Sequence, residues 1–254
     1  MNFRKNLRGL LLMGLVTTGL LLGGCGKSSD SMSDTSTSAT YLVTISNSTT
    51  GTYARSVGGN LGITGLNFSR FAFISHKTAG SVWNVNVAPP AGIVHVAEWG
   101  KVDAAGVING DESLDELGTR LIGANEGFSK MLTAGGIASG GVTTFNITVN
   151  SKFPLVSFAG MVAPSAAFFT GGHDVVLYAD GAFSSEKTVN LYAYSAETRL
   201  DADLIVLRSS GDNPAVGTPV NSVVLVGNSV RVLSSVRAQL GTSKVLGTVT
   251  FTKL

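Results

Sequence analysis

A mainly β chain folded as an antiparallel sandwich is predicted by three features of the sequence. Charged residues make up 13% of the 254 positions, about half the usual share of ~25%, so long salt-bridge-laced helices are not on offer. Short apolar runs rich in Val, Ile, Phe and Tyr recur along the chain, punctuated by Asn, Ser and 32 Gly, the pattern of many short strands joined by turns. A single Cys excludes both an intrachain disulfide framework and a zinc site made of several thiolates. The low charge also excludes a dense basic face, and with it a nucleic-acid binder working through one.

The first element is not part of the sandwich. Arg4, Lys5 and Arg8 precede an apolar run from Gly9 to Leu22 that ends in Leu22-Gly23-Gly24-Cys25. A positive start, an apolar stretch too short to span a bilayer comfortably, and small residues before a Cys predict a secretory leader over 1–24. The only thiol of the chain sits at that junction, so Cys25 is expected to be the acylated first residue of a mature lipoprotein, carrying palmitate or a similar chain. Without Arg4, Lys5 and Arg8 the 18 Lys and Arg fall to 15 against 16 Asp and Glu, so the mature chain is near neutral. Residues 26–40 (GKSSDSMSDTSTSAT) hold too little apolar surface to offset ordering entropy, which predicts a tether over 25–40. One domain is expected over 41–254. The absence of an Asp after Cys25 favours an outer-membrane address by analogy.

Within that domain, Tyr41–Ser46 reads as a strand ending in the turn Asn47–Gly51. Phe71–Ser75 reads as the next, and Val82–Val87 as a third, with Val82, Asn84 and Asn86 alternating against Trp83, Val85 and Val87 until Pro89-Pro90 stops it. Ile93–Ala97 is read as a strand bearing His95. Between Ile108 and Met131, acidic residues at 111, 112, 115 and 116 and leucines at 114, 117 and 121 predict the one short helix. Strands follow at Thr143–Val149, Leu155–Phe158, Asp174–Tyr178, Thr188–Tyr194, Val223–Val226, Val230–Leu233 and Val245–Thr252.

Catalytic motifs are sparse. The chain has no Gly-x-Ser-x-Gly elbow, no His-Glu-x-x-His and no phosphate-binding loop. His76, His95 and His173 are isolated in sequence, the last followed by Asp174 after Gly171-Gly172, where a turn is expected. Two acidic groups stand out for oxygen-rich metal binding: Glu98 with Asp103, and Glu197 with Asp201 and Asp203.

Four blocks resemble the spondin N-terminal domain family, including its bacterial lipoprotein members. They are Tyr41–Asn47, Pro90–Gly100 with its Ala97-Glu98-Trp99-Gly100 end, Phe158–Gly171 containing Met161, Pro164 and Ser165, and Leu191–Thr198. They come in the family's order and cover most of 41–203. The resemblance implies a β-sandwich related to calcium-dependent membrane-binding domains, acting in extracellular recognition and adhesion and doing no catalysis. It also implies a calcium site, of which only Glu98 is kept. Where the family pattern has carboxylates stand Ala167, Ser195 and Arg199, and its Gly is Glu197. A metal set in this chain would have to be assembled from Glu98, Glu197 and Asp201, and loss of most of the charge predicts that calcium binding is lost or severely weakened. No other cofactor is expected.

The function expected from these features is a lipid-anchored, non-catalytic binding or adhesion module at the cell envelope. Its partners would be the membrane, through the lipid, and an unidentified protein or glycan. A structural assembly role is the alternative. A glycan hydrolase using Glu98-Trp99 or His173-Asp174 is a third reading.

Overall fold

The computed structural model describes residues 36–53, 63–104, 110–165, 167–198, 222–229, 231–232 and 234–254. The expected leader, Cys25, Arg199 and Asp201 lie outside the described residues, as do Val230 and Leu233 of one expected strand.

The chain order begins with β1 (Ser38–Asn47), the two-residue pair β2 (Thr52–Tyr53) and β3 (Ile63–Thr64), β4 (Asn67–Phe68) and β5 (Ala72–His76). Helices α1 (Ala91–Trp99) and α2 (Leu114–Gly123) follow, then β6 (Gly127–Leu132), β7 (Val142–Asn150), β8 (Leu155–Ala163) and β9 (Phe168–Val176). The hairpin β10 (Tyr178–Ala179) and β11 (Ala182–Phe183) leads to β12 (Glu186–Leu191), β13 (Tyr194–Ser195) and β14 (Val224–Leu225). A 3-10 turn (Val226–Asn228), α3 (Ser234–Leu240) and β15 (Gly247–Lys253) close the chain.

Two antiparallel sheets stack face to face. One has the order β12-β15-β1-β7. Its strands follow the two-residue period of a sheet with one wet face: in β1, Tyr41, Val43 and Ile45 are fully buried while Leu42 and Thr44 between them are partly exposed. The other sheet runs β14-β13-β9-β8-β5-β6, with β4 also paired to β8. Its inner strand β5, between β8 and β6, is buried at every position. Phe73 and Phe158 turn toward the first sheet and stack with ring centroids 4.5 Å apart, near Phe251 of β15. Their neighbours Ala72, Ile74 and Ala159 turn the other way and pack with Ile93, Val96 and Ala97 of α1 and with Leu114, Leu117 and Leu121 of α2. The molecule is therefore a sandwich with a helical layer on the outer face of one sheet, and α3 adds Val236 and Leu240 to the inter-sheet core.

Two buried polar side chains of this core, Tyr41 and Asn47, are well partnered. The Tyr41 hydroxyl lies 3.1 Å from Leu177 O and 2.8 Å from Ser184 O. Asn47 Nδ2 donates to Leu66 O at 2.8 Å and Ile137 O at 3.2 Å, and its Oδ1 accepts from the Thr49 amide at 3.0 Å and hydroxyl at 2.6 Å.

Five expectations are corrected. Strand β1 starts at Ser38, opposite Asn150, so residues 38–40 belong to the sheet rather than to the tether. The run Val82–Val87 is not a strand: Val82 and Trp83 are both buried on the helical side, which defeats alternation, and Asn86 takes a left-handed φ of 60°. Residues 93–97 are helical rather than extended: Gly92–Glu98 of α1 are all buried, so it shows no polar stripe, and a buried helix and a buried strand share the same apolar run. Three α-helices, not one, are found among the described residues. His173 and Asp174 lie within β9, not in a turn, although Asp174 has φ 51°.

Candidate functional site

Two of the acidic residues singled out in the sequence, Glu98 and Glu197, lie on the C-terminal half of α1 and in the segment after β13. Helix α1 begins after Pro90, in extended backbone at the N-cap, and ends at Gly100, whose φ of 64° lets its amide donate back to Val96 O at 2.8 Å. Seven of its nine residues are buried, and Glu98 points inward with 2% exposure. Its Oε1 accepts a short hydrogen bond from the Thr198 hydroxyl. Glu197, also 2% exposed, accepts a short hydrogen bond from the Ser229 hydroxyl, which in turn accepts from the Arg231 amide at 3.2 Å. Glu197 sits at φ 54°, and its amide donates to Ser195 Oγ at 3.1 Å.

Ala167 is adjacent to this loop, since its carbonyl accepts from the Ala196 amide at 3.1 Å. The segment 195–198 is thus tied to the start of β9, to α1 and to Ser229. These hydroxyl contacts balance two buried carboxylates that would otherwise carry a large desolvation penalty.

A calcium ion takes 6–8 oxygen ligands. Position 167 offers a methyl group, the Ser195 hydroxyl is held by the Glu197 amide, and Glu98 and Glu197 each accept from a different hydroxyl. No group of three or more His, Cys, Asp and Glu side chains suited to a metal occurs among the described residues. Of the positions the resemblance points to, Arg199 and Asp201 lie outside the described residues, and the carboxylates of Glu98 and Glu197 are already engaged by separate hydroxyls.

The histidines divide in their surroundings. His76, at the end of β5, is fully buried. Its Nδ1 lies 3.0 Å from Thr78 O, so that nitrogen carries the proton, and Nε2 accepts from Ser157 Oγ at 2.9 Å. Ser157 Oγ accepts from the Asp174 amide at 2.9 Å, and both Asp174 carboxylate oxygens accept from the Gly80 amide at 3.0 Å. Burial holds the His76 imidazole below its ordinary value of 6.5, against the Thr78 hydrogen bond and the Asp174 charge.

A serine, a histidine and an aspartate have met, but not in hydrolytic geometry. Asp174 Oδ1 is 3.8 Å from Nε2, the nitrogen that serves the serine, whereas a triad needs the carboxylate on the other nitrogen. Ser157 is 0% exposed, so its hydroxyl does not meet a substrate. The knot is invisible in sequence because it joins β5, β8 and β9 across 81 and 17 residues.

His173 packs edge-on against Trp83 at 5.0 Å, with Nδ1 3.6 Å from Asp174 Oδ2. His95 is fully buried, with Nε2 3.4 Å from Asp111 Oδ2.

Beside the inward-facing Glu98, the next residue leads elsewhere. Half-buried Trp99 helps line a pocket of about 300 Å³ with Arg70, Gly100, Lys101, Val102 and Asp103. Sequence reading paired Trp99 with Glu98 as one chemical unit, but the helix sends the two side chains to different surroundings.

A family model described as Spondin_N matches residues 49–202. No curated protein matches the chain.

Proposed function

The chain belongs to the Spondin_N family, and from that premise we propose that it is a lipid-anchored cell-envelope module that binds a partner without transforming it. The family domain is in general a non-enzymatic binding module, and the match over 49–202 is the observation that carries this reading. The buried, hydroxyl-bound state of Glu98 and the closed Ser157–His76 pair support it, since neither presents a reactive group to a substrate. Anchoring follows from Leu22-Gly-Gly-Cys25 after a basic and apolar leader. A single lipid chain gives only reversible attachment, so stable residence implies more than one acyl group on Cys25.

Expression of the full chain in a bacterial host fed a clickable palmitate analogue tests the anchor. The wild-type chain should take up label and sediment with membranes, while Cys25→Ser should lose the label and keep its uncleaved leader. Equal labelling of both chains would refute the assignment. Crosslinking of the anchored protein in cells then separates its roles: a transient, competable partner supports a binding module, and a permanent stoichiometric one argues for an assembly component.

A further inference from the structure

The pocket at the end of α1 has a composition that selects one kind of ligand. Arg70 is pinned: its Nε donates to Thr133 O at 2.8 Å and its Nη1 to Asp103 Oδ2 at 2.7 Å. The pair is partly open to solvent, with side-chain exposures of 37% and 29%. Among the described residues, Nη2 of Arg70 and Oδ1 of Asp103 make no hydrogen bond to the fold, so two donors and an acceptor stand side by side. The fixed guanidinium loses little rotamer freedom on binding. Trp99 supplies an aromatic wall, Val102 an apolar floor at 1% exposure, and Lys101 an exposed rim.

Charge decides what fits. An acid would meet Asp103 and a cation would meet Arg70, while the pairing of the two cancels their charge and leaves only Lys101 at the exposed rim, where solvent screens it. A neutral ring bearing adjacent hydroxyls satisfies both, because each hydroxyl donates to the carboxylate or accepts from the guanidinium, and its apolar face rests on the indole. The volume of about 300 Å³ is at the small end of ligand pockets, which suits a single ring rather than a long chain. We propose that Arg70, Trp99 and Asp103 form a binding site for a neutral sugar ring, such as the terminal residue of a glycan. The inference deepens the binding-module reading and rests on it.

The test uses the full chain, extracted in detergent, with N-acetylglucosamine, methyl glucoside and methyl galactoside as neutral probes and glucuronate and glucosamine as charged ones. Binding is read by tryptophan emission, to which only Trp83 and Trp99 contribute, and by saturation-transfer NMR. At least one neutral sugar should saturate in the millimolar range, with both charged sugars weaker. Trp99→Ala should abolish the response, and Asp103→Asn should weaken neutral binding about tenfold or more, as expected for lost hydrogen bonds to a charged group. Asp103→Asn should also favour glucuronate relative to wild type. If Trp99→Ala unfolds, the Trp83 emission reports it and Asp103→Asn carries the test alone. No saturation by any neutral sugar, a preference for glucuronate in the wild type, or unchanged binding in a folded Asp103→Asn chain would each overturn the assignment. A negative sugar panel on a palmitate-labelled chain removes this pocket but leaves the anchored module standing; loss of labelling at Cys25 removes the anchor but not the pocket.

Discussion

His76 is the residue whose ionisation is most tightly bound to the fold. Its neutral ring satisfies Thr78 O through Nδ1 and Ser157 through Nε2, and burial disfavours the charged form. Its folded value therefore lies below the unfolded one near 6.5. With a lowered histidine, the unfolded state takes up a proton first as pH falls, so stability is full above pH ~6.5 and declines below it until the folded imidazole also protonates. The thermal midpoint should hold steady from pH 8 to 7 and drop between pH 6.5 and 5. In His76→Gln, whose amide does not titrate, that drop should shrink while the midpoint at pH 7.5 falls. An identical pH profile in the two chains would show that other groups govern this window. The exposed Glu116 and Glu126 also have lowered values, through hydrogen bonds to Ser113 and Lys77 respectively, but their contribution is lost only at lower pH, below the usual carboxylate range.

At the scale of elements, the contrast between α1 and α2 explains what could be read. Helix α2 carries a capping box, with Ser113 accepting from the Glu116 amide at 3.2 Å and the Glu116 carboxylate accepting from the Ser113 amide at 2.8 Å. Its buried Leu114, Leu117 and Leu121 face the sheet while Asp115, Thr119 and Arg120 face out, so its period is written in the sequence. Helix α1 has no such box and no wet face. The sequence marks it only weakly, by a Pro just before the start and a Gly just past the end, while Ile93, Val94 and Val96 are β-branched residues that favour strands.

The crossing of these helices hinges on Gly92. A methyl group there would lie 2.8 Å from the Leu114 amide nitrogen, closer than such atoms approach. Gly92→Ala should force the helices apart and lower stability by about 1–3 kcal/mol, measured by denaturant unfolding. A change within about 0.5 kcal/mol, the usual span of a surface substitution, would mean that α1 and α2 slide freely.

For the whole molecule, burial on two sides of one sheet is the organising fact. The first sheet exposes a face and keeps a clean alternation; the second is covered by the first sheet on one side and by α1 and α2 on the other, so its strands read as unbroken apolar runs. The same covering draws Glu98 inside. Because the carboxylates of Glu98 and Glu197 are engaged by hydroxyls and Ala167 contributes none, calcium should add no stability: the thermal midpoint in millimolar calcium should match that in a chelator within error. A saturable upward shift, as linkage requires of any ion bound to the native state alone, would show that Asp201 and neighbours complete a cage after all.

What the amino-acid order determined by itself was local: the β class, the turn-punctuated strands β1, β7, β8 and β15, the capped helix α2, and the leader pattern ending at Cys25. These follow from two-residue and 3.6-residue periods and from turn and cap chemistry, all of which act within a few positions. Only tertiary structure decided that residues 91–99 form a helix, that Glu98 turns to Thr198 while Trp99 joins Arg70 and Asp103 at a pocket, and that His76 meets Ser157. Those outcomes depend on which faces are covered by parts of the chain up to 100 residues away, and burial, unlike periodicity, is a property of the packed whole.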